Sequence, residues 1–230
     1  MNLVLNLVRV PVATLWAAPE KTRPCDAAAL RDEPDIAAWV AAMTPDEQTS
    51  SDVVTQALLG DRVTVEESRP DGWSRVAVPG QHDYPGWIRT AHLTTAPASD
   101  DRAPAPAAVP PTGDEVLAAA RSLLGVTYVW GGLSPHGLDC SGLVHLVWRR
   151  LGVRLPRDAH QQQAATTPVL PGEERPGDLY FFARPGRPAH HVGIVVTPGT
   201  VIHASPGRHG VVEEPMPPER AETLAGAHRV

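Results

Sequence analysis

Asp139-Cys140-Ser141-Gly142-Leu143-Val144-His145-Leu146-Val147-Trp148-Arg149-Arg150-Leu151 is the stretch from which the fold is read. Leu143, Val144, Leu146, Val147 and Leu151 recur at helical spacing, and Gly152 stops the pattern. Cys140 falls in the first turn of the helix. A purely structural cysteine would sit more naturally among the leucines in mid-helix. At the first turn the positive end of the helix dipole favours a thiolate, so the expectation is an acidified, nucleophilic thiol. Arg149 and Arg150 occupy the last turn, where cations suit the negative end. Gly131, Gly132, Gly137 and Gly142 are expected to keep bulk away from the sulfur, so that a substrate backbone can approach.

A nucleophilic cysteine needs a base and a group that orients the base. With ten histidines in the chain, an isolated one means little. Two are placed informatively. His191 opens the apolar run Val192-Gly193-Ile194-Val195-Val196, and His203 lies within Val201-Ile202-His203-Ala204. Thr197-Pro198-Gly199-Thr200 is a turn between them, so the two runs read as a β-hairpin. Register decides whether the imidazoles can meet. A bare two-residue Pro-Gly loop would put His191 and His203 on opposite faces. An odd-length loop, or a bulge such as one at Gly199, would make them diagonal neighbours on one face. A Cys140–His191–His203 triad therefore requires an irregular hairpin. In that triad His191 takes the thiol proton and His203 orients it. His190 alternates to the other face. Zinc held by Cys140, His191 and His203 is the rival reading, but no short paired-ligand spacing supports it, and neither metal nor cofactor is expected.

Outward from this stretch, the helix is preceded by another, with Asp114 and Glu115 in its first turn, an apolar stripe from Val116 to Leu124 and a stop at Gly125. After Pro171 the pattern changes to strands at Asp178 to Ala183, Val192 to Val196 and Val201 to Ala204. A cysteine-bearing helix against an antiparallel sheet is an α+β arrangement. Residues 98–112 alternate Ala and Pro and read as an extended spacer, giving domains at 1–97 and 113–230. The first of these holds short apolar runs between turns, Leu58 to Val65, Trp73 to Val78 and Tyr84 to Leu93, which suggest a small β-barrel. Alternation of Leu3, Leu5 and Leu7 begins it with a strand. Residues 20–50 are a polar insertion containing a helix-like stretch, Asp35 to Met43, and an inert thiol, Cys25.

Composition narrows the function classes. The chain has 230 residues, 42% of them hydrophobic and 20% charged, which is globular. Its 20 Lys+Arg and 26 Asp+Glu give a net charge of −6, with no basic footprint for nucleic acid. The 25 prolines argue against an all-helical bundle. Two cysteines make no disulfide scaffold. No apolar stretch suits a bilayer, and Asn6, Arg9 and Pro11 interrupt the first apolar residues, so the expectation is a cytoplasmic protein without a signal, or a secreted one if the start site is misassigned. No obligate protein partner is implied.

Six ordered motifs carry a resemblance: Tyr128-Val129-Trp130-Gly131-Gly132, Asp139-Cys140-Ser141-Gly142, Leu155-Pro156-Arg157-Asp158, Pro176-Gly177-Asp178-Leu179, His191-Val192-Gly193-Ile194 and Ile202-His203-Ala204-Ser205. Over about residues 113–230 the chain resembles the NlpC/p60-type family of papain-like cysteine peptidases. Thr55 to Asp61 and Tyr84-Pro85-Gly86-Trp87 resemble, more weakly, the bacterial SH3-like barrel fused to such peptidases. The resemblance implies a papain-like α+β catalytic domain behind that barrel, with Cys140 as nucleophile, His191 as base, His203 as orienter and the Tyr128 hydroxyl at the oxyanion. It also implies cleavage of the bond between D-γ-glutamyl and a diamino acid in murein peptides. The dipeptidyl-peptidase VI subgroup, which it resembles in arrangement, takes freed peptides with an N-terminal L-Ala, as in cell-wall recycling. Asp139 would meet that ammonium, Tyr84 and Asp52 would close the site from the barrel, and Ser141 would bond the substrate carboxylate. Ala159 stands where relatives often carry a hydroxyl. The alternatives are an exported murein endopeptidase acting on intact wall, a non-catalytic wall-binding module, and an acyltransferase on the same fold.

Overall fold

The computed structural model describes residues 4–97 and 109–230, so Leu3 and most of the Ala/Pro spacer lie outside the described residues. The chain divides into two compact units. The first comprises Met1–Ala105 and Val129–Gly137, and the second Pro106–Tyr128 and Leu138–Val230.

The first unit is built on strands β1 (Val4–Val8), β2 (Val12–Trp16), β3 (Val53–Leu58), β4 (Arg62–Ser68), β5 (Trp73–Val78), β6 (Tyr84–Arg89) and β7 (Leu93–Pro97). They form an antiparallel sheet in the order β3-β2-β6-β5-β4-β1-β7. Alternate residues such as Val63, Val76, Val78 and Ile88 meet Val8, Leu15 and Ala57 in one apolar core, as period-two burial requires. The expected run from Leu58 to Val65 is in fact a strand end, a turn and a new strand. Gly60 supplies the turn with φ +82°, and Asp61 Oδ2 accepts from the Leu58 N–H at 2.8 Å.

The 20–50 insertion carries helices α1 (Ile36–Ala42) and α2 (Pro45–Thr49), and it is less polar than its composition suggests. Ile36, Trp39, Val40 and Met43 join Trp16, Val53, Trp73 and Val129 in a second core. The buried Asp26 carboxylate accepts from Trp39 Nε1 at 2.9 Å and pairs with Arg23 at 3.1 Å. Burial pushes this carboxyl up, but the bonds from Arg23 and Trp39 outweigh it and hold it below the ordinary value. Cys25 packs at the margin of this core, and burial pushes its thiol up to about 11, in keeping with an inert role.

The second unit begins with α3 (Gly113–Arg121), which ends one turn before Gly125 and starts at a Thr112–Glu115 capping box. After Tyr128 the chain returns to the first unit for residues 129–137, which hold β8 (Leu133–Ser134) and the start of its ladder partner β9 (Gly137–Leu138), and the second unit resumes with α4 (Cys140–Arg150) and α5 (Ala159–Ala164). Six strands follow with a short helix among them: β10 (Thr167–Val169), β11 (Leu179–Phe182), β12 (His191–Thr197), β13 (Thr200–Ser205), β14 (Gly210–Pro215), α6 (Pro218–Ala221) and β15 (Leu224–Arg229). Their antiparallel order is β10-β15-β11-β12-β13-β14, with β11 and β12 central and β13 next to the edge strand β14. The α4 helix packs on them with every residue from Cys140 to Trp148 buried. That burial on all sides explains why its leucines repeat without a strongly polar face. Among the described residues, no helix is long and apolar enough to cross a membrane.

Candidate active site

Cys140 is the first helical residue of α4, directly after the N-cap Asp139, whose side chain accepts from the Gly142 N–H at 2.7 Å. Cys140 is buried, with 8% of the residue exposed. The backbone N–H groups of Val192 and Ser141 lie against its sulfur and favour the anion. Burial and the neighbouring Asp139 carboxylate outweigh them and push the thiol up to about 12. The expected acidification is therefore corrected. A helix N-terminus is a fractional charge, and here it competes with desolvation and with a full negative charge one residue away.

The hairpin is irregular in the required way. Ile194 faces Ile202 and Val195 faces Val201, whereas Thr197 faces Thr200. Val196 is the extra residue, so the bulge lies on β12 ahead of the turn and not at Gly199. Carried back along β12, this register sets Gly193 across from His203 and makes His191 its diagonal neighbour. His191 Nε2 lies 2.8 Å from His203 Nδ1, with the rings edge to face at 78°. Gly193 gives the imidazoles their room: a Cβ there would collide with Val201 Cγ2 and stand 3.1 Å from His203 Cβ. Phe182, opposite His191 on β11, packs against its ring at 5.5 Å between centroids.

Both imidazoles are held neutral. Burial lowers His191 well below its usual value, helped by the Arg220 charge and by His203. Burial also lowers His203, partly countered by Glu214, whose Oε1 lies 3.1 Å from His203 Nε2. Glu214 in turn pairs with Arg208 at 2.9 Å. His190 is exposed, as strand alternation requires.

Tyr128 is buried and ends the first stretch of this unit, its N–H donating to the His209 carbonyl at 3.0 Å. Burial raises its phenol, and the charges of Cys140 and Asp139 raise it further, so the group remains an O–H donor. Asp139 and Ser141 are tied to Arg157, which is 1% exposed. Its Nη1 and Nη2 reach Asp139 Oδ1 at 3.0 Å and Oδ2 at 2.7 Å, and Nη1 also donates to Ser141 Oγ at 2.9 Å. Gln162 Nε2 donates to the Ser141 carbonyl at 3.0 Å and the Pro156 carbonyl at 2.9 Å, bracing the same turn of α4. Ala159 is the first residue of α5 and offers no hydroxyl.

Tyr84 and Asp52 belong to the first unit. Tyr84 opens β6 opposite Val78 and is half-buried. Asp52 is exposed, and its carbonyl accepts from the Ala17 N–H at 2.8 Å. Gly131, Gly132 and Gly137 also lie in that unit, where a Cβ would strike Val53, the Gly137 backbone or Val129. These glycines permit close packing of the chain on itself and are not openings for a substrate backbone. Sequence reasoning passed over Glu214, Arg220 and Gln162. Glu214 had a signal in principle: it lies two residues beyond Val212, the partner of His203 on β14, and hence on the histidine face.

Known proteins resemble the chain along nearly its whole length. Residues 125–224 match the NlpC/P60 family, and residues 46–93 match the bacterial dipeptidyl-peptidase SH3 domain. A gamma-D-glutamyl-L-lysine dipeptidyl-peptidase of Bacillus cereus is 28% identical across 96% of this chain and 90% of its own length. Its namesake in Bacillus subtilis is 29% identical across 87% and 90%. The crystal structure of an NlpC/P60 family protein from Bacillus cereus superposes with a TM-score of 0.83 at 25% identity, covering 98% of this chain and 99% of that one.

Proposed function

Because this chain belongs to the NlpC/P60 family of cysteine peptidases and joins that papain-like domain to a bacterial SH3 domain, we propose that it hydrolyses the γ-D-glutamyl–diamino acid bond of murein peptides bearing a free N-terminal L-Ala. The observation that carries this reading is the likeness to gamma-D-glutamyl-L-lysine dipeptidyl-peptidases along nearly the whole chain, SH3 unit included.

In this reading Cys140 is the nucleophile and His191 the base. His191 Nε2 is engaged by His203, so the proton goes to Nδ1. With the thiol raised and the imidazole lowered, the resting pair is neutral, and the thiol gives up its proton as the sulfur attacks the γ-glutamyl carbonyl carbon. The carbonyl oxygen takes the negative charge, met by the Tyr128 hydroxyl and the Cys140 backbone N–H. The imidazolium then protonates the departing amine of the diamino acid as the C–N bond breaks. Water attacks the thioester, gives its proton to His191, and releases the dipeptide and the thiol.

A buried substrate ammonium needs a carboxylate. Asp139 is assigned to it, although its charge is already shared with Arg157. Asp52 and Tyr84 are the contributions assigned to the SH3 unit. Ser141 is assigned to the substrate carboxylate, a role for which its hydroxyl must exchange the 3.3 Å bond it makes to Asp139 Oδ1.

The test offers L-Ala-γ-D-Glu-L-Lys, the meso-diaminopimelate equivalent, and the N-acetylated form of each. Cleavage of the free-amine peptides alone supports the reading. Equal cleavage of acetylated peptides, or activity confined to intact sacculi, overturns it in favour of a wall endopeptidase. The same proposal places the protein in the cytoplasm, where fractionation of the producing cell should find it.

A further inference from the structure

We propose that Glu214 is a positioning residue of this peptidase, which fixes the protonation pattern of both histidines and so aims the bare nitrogen of His191 at the thiol. The inference rests on the peptidase reading above, and it follows from three contacts in series.

The first contact sets the direction. Burial pushes the Glu214 carboxyl up, but bonds from His203 and Arg208 outweigh it and hold the group ionised. An ionised carboxylate only accepts hydrogen bonds. Across 3.1 Å, His203 Nε2 must therefore carry the proton. His203 is neutral, so its Nδ1 is bare and can only accept. Across the next 2.8 Å, His191 Nε2 must then donate. His191 is also neutral, so its remaining nitrogen, Nδ1, is unprotonated and serves as the base. Without the carboxylate, His203 could carry its proton on Nδ1, and the His191 tautomer would reverse. The proton would then sit on the nitrogen that has to receive one from Cys140.

The arrangement is built into the sheet. Val212 pairs with His203 and Val201 with Glu214, so the carboxylate reaches the ring diagonally from the neighbouring strand. Its side chain is 14% exposed, and Arg208 at 2.9 Å holds the second oxygen. Glu213, the adjacent residue on β14, alternates away and pairs with Arg121 at 2.8 Å. One strand thus carries two glutamates of equal charge, and only one reaches the histidines. The charged and titratable groups facing the pair are Glu214, Arg208, Arg220 and His190, together with each other and with the Cys140 thiol at which the proposed base is aimed.

The experiment compares Glu214→Leu, Glu214→Gln and Glu213→Ala with the parent protein. Long-range 15N–1H NMR of the histidine rings reports tautomers without turnover, and L-Ala-γ-D-Glu-L-Lys hydrolysis reports kcat and KM. In the parent, His203 should show the Nε2–H form and His191 likewise. In Glu214→Leu the His203 signals should become those of a tautomer mixture, kcat should fall about tenfold or more with KM little changed, and the acid limb of kcat/KM should move to lower pH, because the carboxylate raises the His203 pKa. Glu214→Gln, whose side-chain oxygen still accepts, should recover most of the loss. Glu213→Ala should match the parent in all three measurements. A parent-like tautomer and kcat in Glu214→Leu would overturn the proposal, as would equal loss in Glu213→Ala or a fall in melting temperature with kcat per folded molecule unchanged. If Glu214→Leu does not fold, Glu214→Gln and the parent spectrum decide: an Nδ1–H form of His203 in the parent is sufficient to reject it. If the parent fails to cleave the peptide, the substrate assignment falls while the NMR arm still tests Glu214.

Discussion

At the sulfur of Cys140, two backbone N–H groups and a helix N-terminus favour the anion, while burial and the Asp139 carboxylate oppose it, and the opposition prevails. This outcome was not legible in the sequence, since helix position can be read from spacing but burial cannot. Its consequence is measurable. Alkylation of Cys140 by iodoacetamide in the free enzyme, followed by peptide mapping to separate it from Cys25, should keep accelerating as pH rises past about 9. A plateau below about pH 7 would instead show a resting thiolate–imidazolium pair. Cys140→Ala should abolish turnover altogether, because no other thiol stands beside the histidines. The place of Cys140 in its helix and the meeting of His191 with His203 were readable because the first turn of a helix and the two arms of a hairpin leave periodic signatures. Glu214 was not, because β14 begins after a Pro-Gly turn whose register only three-dimensional pairing sets.

Elements succeed here through what braces their ends. The first turn of α4 is held by Asp139, Ser141, Arg157 and Gln162, and Arg157 is the one cation buried inside this network. Arg157→Ala removes the cation from the buried Asp139 carboxylate, leaving it the Gly142 N–H and the Ser141 hydroxyl, and should cost about 3–5 kcal/mol, measured by urea denaturation at neutral pH. Within α4 itself, His145 Nδ1 donates to the Leu155 carbonyl at 2.8 Å, and burial, aided by Arg157 and Arg149, lowers this histidine to about 4. A folded-state value below the unfolded one means that the unfolded chain binds the extra proton first. The contribution is therefore complete above the unfolded value near 6.5 and is lost as pH falls toward 4, on the order of 3 kcal/mol in all. Urea midpoints should accordingly drop between pH 7 and pH 5, and His145→Gln should flatten that dependence. On the hairpin, Gly193→Ala would press on His203 and should lower kcat with little change in KM.

For the whole molecule, the α+β papain-like domain and the SH3-like domain were legible from motif order, because helix, turn and strand periodicities each speak locally. The division of the chain was less so. Residues 129–137 belong with the SH3 unit, since Val129 is buried in its core and the Leu133 N–H donates to Gln56 Oε1 at 2.9 Å, contacts that no local pattern announces. The insertion likewise looked polar while holding Trp39 fully buried. The single extra residue of β12 also has a hereditary consequence. Removing Val196 closes the bulge and leaves Thr197 facing Thr200 and Val195 facing Val201, so His191 keeps its diagonal place beside His203. Lineages of this enzyme can therefore shed that residue and keep the histidine pair, and a Val196 deletion variant should retain the His191–His203 contact and measurable turnover.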